Sequence, residues 1–184
     1  RVPVAFAQCS PLPDGLFMVR AETDANAPGE GEQADWMYFD EYPFMDNGAG
    51  YVNRKRRSLF VYDPADGALE RLTPPLMQTY QPYFSDDIAL TNDGFCFVGW
   101  EFDRYAGGRV AIYKHVWATG ENIMLCSDSC YVYSMFEHEG RLWYAAWAIE
   151  PGPYLAETRL KSVSFDGWGL RVAAEPEFET GTVR

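Results

Sequence analysis

Arg54, Lys55, Arg56 and Arg57 form the one basic cluster in a chain whose formal charge is −12. Upstream of them stand two adjacent carboxylates, Asp40 and Glu41. Arginine suits a carboxylate because its planar fork donates two parallel hydrogen bonds. Two carboxylates converging on one ammonium make an amine site. Arg54, Arg56, Arg57, Asp40 and Glu41 are therefore candidate binding residues, the cations forming a carboxylate-facing or domain-facing patch. The plainer reading is a cationic strand start paired with the acidic loop near it, and loop acids beside a packed Trp36.

Other reactive residue types form no comparable set. His115 and His138 lack the paired spacing of a zinc site, and Cys126 and Cys130 have no second ligand pair. Asp86, Asp87 and Asp128 miss the regular short spacing that a calcium loop requires, so they read as turn residues. Trp100, Trp117, Trp143, Trp147 and Trp168 lie within strand patterns and read as packing between sheets, the alternative being a sugar platform. Cys9, Cys96, Cys126 and Cys130 read as reduced thiols of a cytoplasmic protein, with Cys96 in the core. Nothing matches Gly-x-Ser-x-Gly, so the sequence offers no catalytic residue, metal or cofactor.

The elements that must position these groups recur. Leu59–Thr73, Val110–Cys126 and Leu160–Glu175 each read as an apolar strand, a turn containing Gly and a second strand. Their starts lie about fifty residues apart. Each has an upstream partner: Gly15–Arg20, Gly94–Trp100 and Gly140–Trp147. Before the last two come further short strands, Tyr83–Leu90 and Tyr131–Glu137. Four strands per unit at this period mark the blades of a β-propeller. The expected fold is all-β, a partial propeller of about three four-stranded antiparallel blades near residues 10–75, 80–126 and 131–176. Strands starting at Phe17, Phe95 and Leu142 are apolar at nearly every position, as strands buried on both faces are. No sustained 3.6-residue period argues for helix.

Residues 22–35 are acidic, contain Gly and lack large apolar side chains, which reads as a mobile insert. No apolar run approaches the roughly 20 residues of a membrane helix. The negative charge disfavours nucleic acid and anionic lipid. Closed propellers usually need at least four blades. Three units, starting at Arg1 without Met, read as a piece of a longer polypeptide or as a partial ring that closes with another copy through its open edges.

Residues 40–73 read DEYPFMDNGAGYVNRKRRSLFVYDPADGALERLT. This resembles the propeller of the prolyl oligopeptidase family of serine peptidases, in its acylaminoacyl-peptidase-like branch. That pattern has an Asn-Gly-x-Gly-Tyr turn, Arg residues before an aromatic strand, an Asp, a turn with Gly and Arg-Leu-Thr. Its places are held here by Asn47, Gly48, Gly50, Tyr51, Arg54, Arg56, Arg57, Leu59, Phe60, Asp63, Gly67, Arg71, Leu72 and Thr73. The blade signature Trp-Ser-Pro-Asp-Gly survives only in degraded form, as Phe84-Ser85-Asp86-Asp87 and as Ser10-Pro11 with Asp14-Gly15. Asp35-Trp36-Met37-Tyr38-Phe39-Asp40-Glu41 is also similar to the dipeptidyl-peptidase segment whose two acids hold a substrate's amino terminus, with Asp in place of one Glu. The resemblance implies a non-catalytic segment that gates and helps bind peptides for a C-terminal α/β-hydrolase domain. The alternative is a stand-alone interaction or ligand-binding module, with glycan as one candidate ligand, that oligomerises. Turnover of chromogenic peptides by this chain would refute the non-catalytic reading, a tight dimer in solution favours the stand-alone module, and a downstream Gly-x-Ser-x-Gly segment with later Asp and His settles the peptidase question.

Overall fold

The structure is a computed structural model that describes residues 6–24, 39, 41, 45–46, 50–51, 54–79, 87–103, 107–127, 130–148, 158–166, 169 and 171–174. It contains β1 (Phe6–Pro11), β2 (Phe17–Asp24), β3 (Met45–Asp46), β4 (Gly50–Tyr51), β5 (Lys55–Tyr62), β6 (Leu69–Arg71) and β7 (Met77–Gln78). These are followed by β8 (Ile88–Thr91), β9 (Gly94–Asp103), β10 (Gly107–Val116) and β11 (Asn122–Cys126). The last four are β12 (Cys130–His138), β13 (Arg141–Ala148), β14 (Thr158–Ser164) and β15 (Arg171–Ala174). Among the described residues the only helical piece is the 3₁₀ turn Pro13–Gly15. None contains a helix long and apolar enough to cross a membrane.

The protein is all-β and propeller-like. Three successive meanders carry it: β1-β2-β5-β6, then β8 to β11, then β12-β13-β14-β15. Every repeated hairpin expected from the sequence lies in one of them, and each upstream strand is its neighbour. The chain divides into two compact units, 1–79 with 100–108 and 80–99 with 109–184.

In the first unit, β2 and β5 pair over their full lengths, from Phe17 opposite Tyr62 to Asp24 opposite Lys55. Strand alternation then sets one face: Phe17, Val19, Ala21 and Thr23 on β2, with Tyr62, Phe60, Ser58 and Arg56 opposite them. Leu69 and Arg71 of β6 join it opposite Tyr62 and Phe60. One end is apolar, where Phe17, Tyr62 and Leu69 pack around Val19, Ala21 and Phe60. The other end is polar. As β5 and β6 separate, Leu72 N–H donates to Leu59 O at 2.9 Å and Leu59 N–H donates to Thr73 Oγ1 at 3.2 Å. The threonine of Arg-Leu-Thr thus supplies a ladder acceptor where strand pairing ends. The short pair β3–β4 flanks the Asn47-Gly48-x-Gly50-Tyr51 turn; residues 47–49 lie outside the described set.

In the second unit, Phe95, Cys96, Phe97 and Val98 are all at most 2% exposed, so β9 is buried on both faces. Its rings continue across the sheet: Phe95 lies 5.0 Å from His115 and Phe97 is stacked on Tyr113 at 5.6 Å. At the β8–β9 turn a Cβ on Gly94 would lie 1.8 Å from His115 O, so only glycine fits. Strand β8 packs against β12 and β11 against β14, which sets the second and third meanders on one another. Lys114 reinforces this by lying 4.6 Å over the Phe165 ring in the β14–β15 turn while donating to Asp93 Oδ2 at 2.8 Å. The two-residue β12–β13 turn, Glu139-Gly140, has both φ values positive, as a type I′ hairpin requires.

Three sequence expectations need amendment. Residues 22–24, read as the start of the acidic insert, belong to β2, and residues 25–35 lie outside the described set. Trp117 is 40% exposed rather than wedged between sheets, because it sits in the β10–β11 turn and rests only one side on Phe95 and His115. Strand β1 was not foreseen. Its composition, FAQCSP, is short and ends in Pro, and a bulge lies between Phe6 and Gln8.

Candidate functional site

The basic cluster lies at the start of β5. Arg56 shares the Thr23–Ser58 face, and Arg57 falls on the opposite one. Glu41 stands at the polar end. Its Oε1 accepts from Arg56 Nη2 at 2.5 Å, and its Oε2 accepts the Arg54 backbone N–H at 2.8 Å. That second bond fixes Arg54 at φ 54, a left-handed position that a non-glycine residue seldom adopts unaided.

Arg56 is bonded at every guanidinium nitrogen. Nε donates to Leu76 O at 2.7 Å and Nη1 to Lys55 O at 2.8 Å. Only 2% of its side chain and 9% of the Glu41 side chain meet solvent. The pair therefore joins three segments: the stretch holding Glu41, the start of β5 and the turn before β7. Arg57 is also tied down through its backbone. Its N–H donates to Gln78 Oε1 at 2.6 Å, and its carbonyl accepts from Thr79 N–H and Thr79 Oγ1. The structure thus brings Glu41, Arg54 and Arg56 together and sets Arg57 apart. Asp40 and Trp36 lie outside the described residues.

Beside this pair sits a cation that was singled out only as part of a motif. Arg71 Nη2 donates to Thr23 Oγ1 at 2.7 Å and to Ser58 Oγ at 3.0 Å. Its Cζ lies 5.5 Å from the centre of the Phe60 ring. Thr23 Oγ1 in turn donates to Arg56 O at 3.2 Å. Burial lowers the Arg71 guanidinium from its ordinary value. Its place in Arg-Leu-Thr was visible in the sequence; its hydroxyl partners, 48 and 13 residues away, were not.

The remaining reactive groups are dispersed. Among the described residues no three His, Cys, Asp or Glu side chains converge as a metal would need. His115 Nδ1 lies 3.0 Å from Asn122 Oδ1. Asp87 is buried, and its backbone carbonyl accepts from Val98 N–H; Asp86 and Asp128 lie outside the described residues. Cys96 is in the core as expected, and burial pushes its thiol up to about 12. Cys9 and Cys126 are also free thiols.

No protein-family model matches the chain, and no curated protein does. Among solved structures it is weakly similar to acylaminoacyl peptidase of Pyrococcus horikoshii. The uncomplexed form gives a TM-score of 0.37 and an orthorhombic crystal form 0.36, each at 11% identity. Both matches cover 93% of this chain and 32% of the other, so the chain spans about a third of the length of those peptidase chains.

Proposed function

We propose that the chain is a non-catalytic propeller segment of a prolyl-oligopeptidase-family serine peptidase, gating and helping bind peptides for an α/β-hydrolase domain. The observation that carries this reading is that the described residues of the family pattern, Gly50, Tyr51 and Arg54 to Thr73, fall on β4 and on and around the β5–β6 hairpin of the first of three meanders. Arg56 and Thr73 then have plain roles, one anchoring the stretch before β5 and the other ending the hairpin ladder. The second and third meanders, packed on one another around buried strands, are stiff, which suits a filter that admits short peptides and excludes folded proteins. The free thiols Cys9, Cys96 and Cys126 fit a reducing cytoplasm.

The test is the reading frame that encodes this chain, followed by its product. The frame should continue into a Gly-x-Ser-x-Gly segment with later Asp and His, and that product should cleave short chromogenic peptides and spare folded proteins. This chain alone should cleave neither. A frame without such a segment, or turnover by the purified chain itself, overturns the proposal.

A further inference from the structure

Two arginines share one face of the first meander and differ in one respect. Arg56 has the Glu41 carboxylate, whereas among the described residues no carboxylate bonds to Arg71. Arg71 has neutral partners only, the hydroxyls of Thr23 and Ser58 and the ring of Phe60. Its Nε is shut away from water with no hydrogen-bond partner. Its Nη1 donates to nothing among the described residues, although the side chain is only half-buried. Burial of a guanidinium disfavours its charge, and no charged group among the described residues offsets that.

A half-buried cation held in place by hydroxyls and an aromatic ring is organised before any anion arrives. Thr23 Oγ1 already spends its proton on Arg56 O, which leaves it an acceptor toward Arg71. Ser58 Oγ accepts from Arg71 and lies 3.4 Å from Thr23 Oγ1, so its own proton is the weakly committed one. Ser58 is fully buried, so its hydroxyl holds the guanidinium rather than reaching outward, and Arg71 Nη1 is the donor with spare capacity. We propose that Arg71, held in place by Ser58 and Thr23, binds a carboxylate through Nη1, either a peptide's free C-terminus or the side chain of an acidic residue. One positive charge with neutral hydroxyls balances one monoanion. A dianionic phosphate would leave net negative charge beside Phe60 and Val19 in an already acidic chain. The site does not depend on the peptidase reading, because a carboxylate is held here whatever follows in the reading frame.

The experiment titrates the full chain with N-acetyl-trialanine as the free acid, the same peptide as its amide, and N-acetyl-Ala-Glu-Ala-amide. Binding is read by calorimetry and by the amide resonances of Thr23, Ser58 and Arg71. At least one carboxylate peptide should bind, about tenfold or more tighter than the neutral amide. The tighter of the two identifies the source of the carboxylate. Arg71→Gln should abolish the difference, and Arg71→Lys, which keeps charge without the fork, should recover only part of it. Binding of both carboxylate peptides no tighter than that of the neutral amide, or tighter binding of inorganic phosphate, overturns the site. The acid-to-amide comparison uses the unaltered chain and stands even if Arg71→Gln fails to fold.

Discussion

Across the second meander Phe95, Phe97, Tyr113 and His115 lie ring beside ring. Across the first, Val19 and Phe60 give way within one strand length to Ser58, Thr23, Arg71 and Arg56. Both sheets have buried middle strands, yet their interiors obey different rules. Apolar surface is satisfied by any neighbour of the right shape, because burial is non-directional. A buried guanidinium is satisfied only by acceptors in particular places. The first kind of interior tolerates substitutions that conserve volume. The second depends on individual partners, and where one is missing it has capacity for a ligand.

The contrast sharpens under substitution. The largest effect belongs to the aromatic interior: Phe95→Ala should cost about 4 kcal/mol, seen as a fall in the urea midpoint, and Phe95→Leu far less. Glu41→Gln should cost about 3 kcal/mol because it leaves Arg56 buried beside a neutral amide. The double variant Glu41→Leu with Arg56→Met should recover most of that loss. If it does not, the loss lies in the individual hydrogen bonds, the Arg54 N–H to Glu41 among them, rather than in the uncompensated charge. Gly94→Ala forces a carbon onto a backbone carbonyl that cannot retreat, at a cost of about 2 kcal/mol by the same measurement.

The smallest effect is electrostatic and lies at the surface. A hydrogen bond from Lys114 holds the Asp93 carboxyl below the usual carboxylate range. A carboxyl lowered on folding contributes stability above its unfolded pKa and loses it as pH falls through the folded value. Asp93 is largely exposed, so the contribution is below about 1 kcal/mol. Asp93→Asn should leave stability at neutral pH almost unchanged and make its decline below about pH 4 slightly shallower. An unchanged decline would show that Asp93 gains nothing from Lys114, whose position then rests on Phe165.

The strands were readable because their signal is local. Runs such as Phe95 to Val98 and Leu142 to Ala146 are apolar on both faces, and Asp-Gly, Asn-Asp and Glu-Gly separate them. The candidate site was readable only as a set of residue types. Arg54 and Arg56 were marked by charge, but the closure of Glu41 onto both of them depends on how the chain returns to β5. Arg71 stood in a recognisable motif and still could not be distinguished, because the absence of a carboxylate is a property of its spatial neighbours. Strands β1, β3 and β4 escaped because two to six residues carry too little periodicity to stand out.

Register in the first meander has a kinetic corollary. Strand β2 ends at Asp24, opposite Lys55, so the chain must close a long excursion before its central pair can zip. In the third meander His138 meets Arg141 across two residues. Loop closure costs entropy before any contact repays it, so the short hairpin should nucleate first and the first meander should condense late. Pulsed hydrogen exchange during refolding should therefore protect the amides of Arg141–Ala148 ahead of those of Phe17–Asp24, and the reverse order would disprove it. A chain emerging from the ribosome would then hold its first-made sheet open until later sheets had formed.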